Sequence, residues 1–302
     1  MTSPRSVIRG ESPLSLPVSL DYLSFSVPGG DVDAIVREAQ GFLGAESVED
    51  RKRGMFGYRA SVDLGGYGLV AYGGEAQRGT VLVSINGEGC RRIANFWRVR
   101  SWAESVGARI TRLDIAADDH ESESVDIPRA IQAWRDGLFT LGGRPPKARW
   151  IDDFGGGGGC SLYVGTRQGG KLCRVYEKGK QLGDSESKWI RAEVELHAKD
   201  RVIPWEAVTD PVRYIAGSFP FFTFLSLESE RIRTIKRATE ISIGAVARWV
   251  RLAAGKSINV LLDHFDGDYV GLVLELKRDG IPKRLEGWWG AEARLAGAVK
   301  GG

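Results

Sequence analysis

Hydrophobic residues make up 42% and charged residues 27% of this 302-residue chain, an ordinary balance for a folded protein with a buried core. The net charge of +3 is too small to identify a polyanionic partner. Three widely separated cysteines argue against a disulfide scaffold and against a thiolate zinc site. The polar N-terminus lacks the apolar stretch of a signal peptide, and no apolar run could span a bilayer. We therefore expect a cytoplasmic protein without membrane contact.

The first third of the chain predicts a strand, a helix and a meander of short strands. Residues 1–17 are expected to form a flexible leader, and residues 21–27 have the composition of a strand. Asp31 can cap the helix that follows, in which apolar residues recur with a period near 3.6. Three extended segments separated by glycine-rich turns come next, and then a helix: 58–64, 68–72, 80–86 and about 91–106.

The same order of elements begins again with a strand at 109–117. A capped helix, four extended segments and a further helix follow: 127–135, 149–154, 161–166, 171–178, 190–197 and 205–216. The segments starting at Gly68 and Ser161 take equivalent places in the two halves, about 18–108 and 109–218. We predict an α+β fold in which a degenerate repeat of a β-α-β-β-β unit forms one antiparallel sheet with helices on one face. Chance similarity between two strand-rich halves is the alternative.

The composition changes after Pro220. Residues 231–237 are basic with a helical pattern, residues 243–254 form an amphipathic helical pattern, and residues 258–265 are apolar. We expect a main domain at 18–218 and a small, mostly helical C-terminal region at 219–302.

Three strands of the second half each carry charged side chains on one face, because successive side chains alternate across a strand. These faces carry, strand by strand, Arg112, Asp114 and Asp118; Arg174, Tyr176 and Lys178; and Arg191, Glu193 and Glu195. If the opposite, apolar faces pack on helices, the charged faces line one side of the sheet.

This grouping suits phosphodiester chemistry. Carboxylates that gather without histidine or cysteine favour a hard cation, Mg²⁺ or Mn²⁺, which can polarise a phosphodiester oxygen. Tyrosine attacks poorly until a cation or a base activates it. Arg174 and Lys178, two positions either side of Tyr176, are well placed to stabilise its phenolate. Attack on phosphorus would leave a phosphotyrosine and a free 3′-hydroxyl.

Each of these assignments has a structural alternative. The acids can be ion-paired with arginines on a solvated sheet face, and Tyr176 can be an ordinary half-buried strand tyrosine. Tyr163 is a competing nucleophile, but its apolar neighbours indicate packing. The glycines at 155–159 lack the Lys-Ser/Thr of a P-loop and predict a flexible hairpin. The three histidines, which are isolated, are expected to be neutral surface residues: His120, His197 and His264.

Four motifs in this order resemble the replication initiation factors of filamentous phages and of one class of Gram-positive rolling-circle plasmids, a group related to relaxases of integrative elements. They are residues 110–118, 161–167, 173–180 and 191–196. The resemblance covers roughly residues 22–214 and departs from the family in a longer glycine-rich stretch at 142–159. It implies that 18–218 is a DNA-nicking domain with an internal pseudo-repeat and a divalent metal.

The resemblance also suggests roles for individual residues. Tyr176 falls where the family's nucleophile would lie, with Arg174, Lys178 and Arg191 beside it. The metal ligands would be Asp114 with Glu193 or Glu195.

DNA contacts are expected from local basic clusters. The candidate residues are Arg91, Arg92, Arg98, Arg112, Arg231, Arg233, Lys236 and Arg237. Near the first three, Trp97 and Trp102 can stack on bases. Solvated helix faces over an aromatic core are the alternative.

The expected function is to nick one DNA strand at an origin and so to start rolling-circle replication. The partners implied are supercoiled or single-stranded origin DNA, a host helicase and polymerase, and a second copy of the chain. A mobilisation relaxase has the same chemistry. A non-catalytic DNA-binding regulator of phage replication would keep the basic patches but tolerate loss of Tyr176 and Asp114. A glycosidase would use paired carboxylates but leaves the surrounding arginines unexplained.

Overall fold

The computed structural model describes residues 16–199, 201–226 and 243–279. The chain forms two compact units, residues 1–234 and 235–302. Most of the expected leader, residues 1–17, lies outside the described residues, which begin at residue 16. No helix within the described ranges is both long and apolar enough to cross a membrane.

The described part of the first unit is built on one ten-stranded sheet. Its strands are β1 (Val18–Val27), β2 (Glu49–Asp50), β3 (Ala60–Asp63), β4 (Gly68–Tyr72), β5 (Val81–Ile85), β6 (Arg109–Asp119), β7 (Ala148–Ile151), β8 (Ser161–Thr166), β9 (Lys171–Glu177) and β10 (Ile190–His197). The order across the sheet is β2-β3-β4-β5-β1-β6-β10-β9-β8-β7, and neighbouring strands are antiparallel. This confirms the predicted α+β fold with a large antiparallel sheet.

The helices begin and end at local signals. They are α1 (Val32–Leu43), α2 (Gly87–Arg92), α3 (Phe96–Ser105), α4 (Ile127–Arg135), α5 (Lys178–Gln181), α6 (Glu206–Thr209), α7 (Pro211–Ala216), α8 (Ile243–His264) and α9 (Tyr269–Leu276). Asp31 caps α1 by accepting the Asp33 N–H. The single helix predicted at 91–106 is wrong, because the chain breaks after α2 and Asn95 caps α3.

The two halves of the sheet are related by a pseudo-two-fold arrangement. Strands β1-β5-β4-β3-β2 run outward on one side of the centre, and β6-β10-β9-β8-β7 run outward on the other. The halves join where β1 pairs with β6, with Leu23 opposite Leu113. Each half of the sheet thus has five strands, one more than the predicted β-α-β-β-β repeat. The additional strand in the first half, β2, has only two residues and carries no sequence pattern.

Because β2 was not predicted, the sequence also matched the wrong strands of the two halves with each other. By position in the sheet, β4 corresponds to β9, whereas β8 corresponds to β3. The segment starting at Gly68 therefore matches the one starting at Lys171, and the predicted match with Ser161 is wrong.

The main core lies between the sheet and the helices. Leu23 and Phe25 of β1 are fully buried. The Phe25 ring lies 6.2 Å from that of Trp102 on α3 and 5.3 Å from that of Trp205, which precedes α6. Trp102 therefore packs in the core and is not available to stack on DNA bases, whereas Trp97 is 62% exposed.

The first compact unit extends beyond the expected boundary at 218/219. Phe219 and Phe222 are buried in the same core as the sheet, so the polypeptide up to at least Leu225 packs with it. In the second unit, α8 continues through both C-terminal segments that the sequence treated separately. The basic segment 231–237 lies outside the described residues.

Candidate active site

The strand register brings the predicted charged residues onto one face of the sheet. Residues directly opposite each other on antiparallel strands share a face. On β6 and β10, Asp114 is opposite Glu195 and Asp118 is opposite Arg191. On β10 and β9, Glu193 is opposite Arg174 and Arg191 is opposite Tyr176. The face opposite the helices therefore carries the acids, the arginines and the tyrosine together.

Asp114 and Glu195 form a buried acid pair, and their side chains are 3% and 1% exposed. Arg112 donates from Nε to Asp114 Oδ1 at 2.9 Å and from Nη2 to Oδ2 at 2.5 Å. The same Nη2 lies 3.4 Å from Glu195 Oε2. Glu195 Oε1 accepts hydrogen bonds from Arg167 Nε at 2.8 Å and His197 Nε2 at 2.5 Å.

The two acids of the pair have opposite pKa shifts. Burial raises the pKa of Asp114 and the charges of Glu193 and Glu195 add to this, so that despite Arg112 the pKa is about 7. Burial also opposes ionisation of Glu195. There the hydrogen bonds from His197 and Arg167 outweigh burial and hold the pKa at about 2. Near neutral pH, Glu195 is ionised while Asp114 titrates.

Tyr176 lies beside a second ion pair. Arg174 Nη2 donates to both oxygens of Glu193 at 2.7 Å, and Tyr176 Oη lies 3.4 Å from Glu193 Oε2. The Arg174 guanidinium and the Lys178 ammonium lie 5.2 and 5.7 Å from the centre of the tyrosine ring. Tyr176 is only 6% exposed. Burial and the Glu193 charge raise the pKa of Tyr176, against the charges of Arg191 and Arg174. The phenol is therefore protonated, and the Glu193 carboxylate lies within hydrogen-bonding distance of its oxygen.

Arg191 is held by acids on two other strands. It donates from Nε and Nη2 to Asp118 at 2.8 and 2.9 Å, and from Nη1 to Asp21 at 2.8 Å. Trp189 Nε1 donates to the same Asp118 carboxylate at 2.7 Å. These contacts fix Arg191 beside Tyr176. There the arginine charge partly opposes the rise in the pKa of the phenol that burial and Glu193 cause.

Two residues of this face differ in how far the structure bears on their interpretation. His197 was expected to be a surface histidine, but it contacts Glu195 at the end of β10. The alternation through Arg191, Glu193 and Glu195 continues to His197, so the period of two could have found it. Tyr163, assigned to packing from the sequence, is half-buried, lies opposite Arg174 and has the Arg149 guanidinium 5.3 Å from the centre of its ring.

The donor set fits a hard cation at Asp114 and Glu195 better than at all three predicted ligands. Asp114 and Glu195 face each other across β6 and β10, and Glu195 Oε2 is buried and accepts no hydrogen bond from the described residues. Glu193 lies two positions along its strand, about 7 Å away, and its oxygens are bound by Arg174.

A different trio of ligand atoms lies closer together. Within the described ranges, the atoms that fall within 4.8 Å of one another belong to Asp152, Asp153 and Cys160. They lie in the glycine-rich connection between β7 and β8, and β9 separates β8 from the strand that carries Glu193 and Glu195.

The predicted DNA-binding arginines are separated by the sheet. Arg112 belongs to the acid pair, whereas Arg91, Arg92 and Arg98 lie on α2 and α3, in the helical layer on the opposite face. Arg92 donates to the carbonyl oxygens at the end of α1, and the other two form ion pairs with glutamates of the helical layer. The remaining candidates lie outside the described residues: Arg231, Arg233, Lys236 and Arg237.

Comparisons with known proteins agree with this architecture. A family model described as replication initiation factor matches residues 108–274. A protein of Bacillus subtilis (strain 168), named as a candidate DNA relaxase, NicK, is 28% identical over 207 residues. That match covers 62% of this chain and 56% of the relative, so the chain spans little more than half of the relative's length.

A solved structure of a rolling circle replication initiator protein from Geobacillus stearothermophilus has a TM-score of 0.54 with this chain at 24% identity. The similarity covers 67% of this chain and 82% of the other. At this level of identity it establishes a shared fold.

Proposed function

Since the chain belongs to the replication initiation factor family, we propose that it nicks one strand of DNA by attack of Tyr176 on a phosphodiester and so starts rolling-circle replication. The observation that carries the proposal is the position of Tyr176 on one sheet face with Glu193, Arg174 and the Asp114–Glu195 pair. Strands hold such groups rigidly, as a reaction centre requires.

The proposed reaction is a transesterification. The Tyr176 oxygen bonds to phosphorus while the bond from phosphorus to the 3′-oxygen breaks, and the phenol proton passes to Glu193. The products are a 5′-phosphotyrosine and a strand whose 3′-oxygen takes a proton to become a hydroxyl. Arg174 and Lys178, both close to the ring, stabilise negative charge on the tyrosine oxygen.

A divalent cation, Mg²⁺ or Mn²⁺, fits this proposal. Asp114 and Glu195 would hold it, and it would polarise the phosphodiester and stabilise the charge that develops on phosphate oxygens. Arg112 and Arg167, which bind the two acids in this structure, can bind the DNA phosphate when a cation takes over the carboxylates.

The test uses supercoiled plasmid carrying the element's own origin region, incubated with Mg²⁺ or Mn²⁺. Tyr176→Phe should reduce nicking and covalent attachment to a 5′ end by about 10³-fold or more, because it removes the nucleophile. Tyr163→Phe, on the same face of the next strand, is the matched control and should keep both activities. EDTA should abolish nicking.

Nicking that survives in Tyr176→Phe and disappears in Tyr163→Phe would move the nucleophile to Tyr163. Binding of DNA without nicking under either metal would favour a non-catalytic regulator instead.

A mobilisation relaxase is the second candidate, because the relative from Bacillus subtilis is named as a relaxase. The two functions share the nicking step. They differ in outcome. An initiator supports replication of a plasmid that carries the cognate origin within the host cell, whereas a mobilisation relaxase supports transfer of that plasmid between cells, and both outcomes can be measured.

A further inference from the structure

A pocket of about 420 Å³ lies beside the acid pair, on the same face of the sheet. We call it the side pocket, and its lining includes Phe56, Tyr58, Gln77, Arg112 and His197. Arg112 and His197 also bind Asp114 and Glu195, so the pocket and the acid pair share a wall. The nicking reaction as proposed uses none of the aromatic residues here.

The wall of the side pocket offers flat surfaces. The Arg112 guanidinium lies 4.3 Å from the centre of the Tyr22 ring, so the two planes form a layered wall. Tyr58 is fixed by a hydrogen bond between its Oη and Thr80 Oγ1 at 2.8 Å. Aromatic rings and arginine planes are the surfaces on which proteins stack unpaired nucleobases.

Phe56 stands at the rim of the pocket in an unusual conformation. Its side chain is 55% exposed and its φ is 55°, a left-handed value that is costly for a bulky residue. The turn is tight, because a Cβ on Gly54 would lie 1.7 Å from the Tyr58 carbonyl oxygen. Met55 and Tyr58 anchor the loop by packing on the small apolar cluster formed around Leu82. A fixed loop thus holds an aromatic ring in solvent next to the pocket.

Gln77 supplies a polar group in the same wall. Its Oε1 is buried and accepts no hydrogen bond from the described residues. An unpaired buried amide oxygen is rare in folded proteins and calls for a partner. The edge of a nucleobase carries N–H donors of the kind that this oxygen lacks, and Gln77 is one of the residues that line the pocket.

We infer that the side pocket binds a nucleobase of the DNA strand next to the phosphodiester that is cut. This inference rests on the proposed function, because it takes the acid pair as the site of cleavage. The pocket floor on β1 and β5 is one to three strand spacings, about 5–15 Å, from the acid pair on β6 and β10. A base flanking the cut can therefore reach the pocket while its phosphate lies at the acids.

The charges around the pocket favour a base within a strand over a free nucleotide. Lys52 and Arg53 are exposed on the loop that carries Phe56, and Arg112 lies on the opposite side. These cations can bind phosphates on either side of the captured base. A base held in this way fixes the register of the strand in the reaction centre.

The test measures binding without chemistry. Protein carrying Tyr176→Phe is titrated in EDTA with a labelled thymidine oligonucleotide and with an abasic oligonucleotide of equal length. The affinity ratio should be about 5- to 150-fold in favour of the bases, as for stacking of one base. Adding Phe56→Gly, which suits the left-handed backbone, should reduce this ratio at least about threefold. Gln77→Met should lower the ratio by a second, independent route.

Phe154→Gly is the matched control, since Phe154 is also an exposed aromatic residue with a left-handed φ, 51°, and lies on the connection between β7 and β8. It should leave the ratio unchanged, and melting temperatures should show that all variants fold. An unchanged ratio in both Phe56→Gly and Gln77→Met would overturn the inference. Tighter binding of free thymidine monophosphate than of the oligonucleotide would also overturn the assignment to a DNA strand.

The outcomes separate this inference from the proposed function. If origin DNA is nicked but the pocket variants keep the full ratio, the pocket assignment alone fails. If the pocket variants lose the ratio but no DNA is nicked, the base site stands and the proposed nicking activity fails.

Discussion

The two halves of the sheet share one framework but differ on the face away from the helices. Residue by residue, the register makes Ser24 equivalent to Asp114, Ser84 to Glu195, Leu82 to Glu193 and Ala71 to Arg174. On the helix-facing side the equivalent residues stay apolar in both halves, as with Val83 and Val194. At these positions the second half therefore carries charged groups where the first half carries neutral ones, and the strand pairing is the same.

This difference teaches that the core side of the strands specifies the fold and the opposite side is free for chemistry. In the first half that side forms a small apolar cluster of Leu69, Ala71 and Leu82, covered by Met55 and Tyr58. The match to the family model starts at residue 108, where the second half begins. The chemistry that we propose therefore belongs to the second half.

The most direct test of this difference replaces one residue of the second half and the equivalent residue of the first half. Glu195→Gln should reduce nicking by about 10²–10³-fold, because a cation stabilises the reaction by several kcal/mol and each 1.36 kcal/mol is tenfold. Ser84→Ala, at the equivalent position, should reduce nicking by no more than about fivefold. Rates on supercoiled origin DNA measure both. Equal losses in the two variants would show that the halves are not functionally distinct.

The acid pair should also make stability depend on pH. The folded-state pKa of Asp114, about 7, lies above its ordinary value of 3.8. Its contribution to stability is therefore full below pH 3.8 and is lost as the pH rises through 7. The pKa of Glu195, about 2, lies below its ordinary 4.5, so its contribution is lost only in acid, as the pH falls from 4.5 through 2.

Between pH 5 and pH 8, metal-free protein should therefore lose up to about 3 kcal/mol through Asp114. Thermal unfolding should show this loss in the wild type but not in Asp114→Asn. Mg²⁺ should stabilise the wild type more at pH 8 than at pH 5. Parallel pH profiles of the two proteins would argue against the raised pKa.

A smaller effect is expected in the helical layer of the first half. Arg92→Ala should lower the free energy of unfolding by about 1–2 kcal/mol, because Arg92 donates to the carbonyl oxygens of Leu43 and Gly44. Denaturant titration measures this. A fully retained stability would mean that solvent replaces these hydrogen bonds at no cost.

The smallest effect concerns Arg91, which forms an exposed ion pair with Glu88. Arg91→Ala should change stability by less than about 0.5 kcal/mol. If the first half contacts DNA, as the sequence predicts, the salt dependence of DNA binding should fall by about one unit of slope. An unchanged slope would restrict DNA contacts to other parts of the chain.

Local patterns were sufficient for most of the sheet and for its charged face. Strict alternation predicted that Asp114, Glu193 and Tyr176 share a face, and the register agrees. The pattern could not show β2, because two residues hold no period, and this omission misaligned the halves. The break between α2 and α3 was missed although Asn95 is a capping residue, because apolar residues continue on both sides of it.

The partners of the acids could not be read from the sequence. Glu195 is bound by Arg167, which follows another strand, and Arg191 reaches Asp21 on β1. Such pairs depend on the register between strands that are distant in sequence and on the rotamer of each side chain. The separation of Arg91 and Arg98 from the acids has the same origin, since charge counts do not reveal on which layer an arginine lies.

The pairing of β1 with β6 at the centre of the sheet also implies an order of assembly. During synthesis, β1 and β5 can pair before β6 exists, whereas β6 must wait for β10 to find a neighbour from its own half. The free edge of β1 is thus the first template that β6 meets. Because pairing between distant segments slows folding, we expect the first half of the sheet to act as an internal scaffold. A fragment that lacks it would leave the edge of β6 open and prone to pair with other chains.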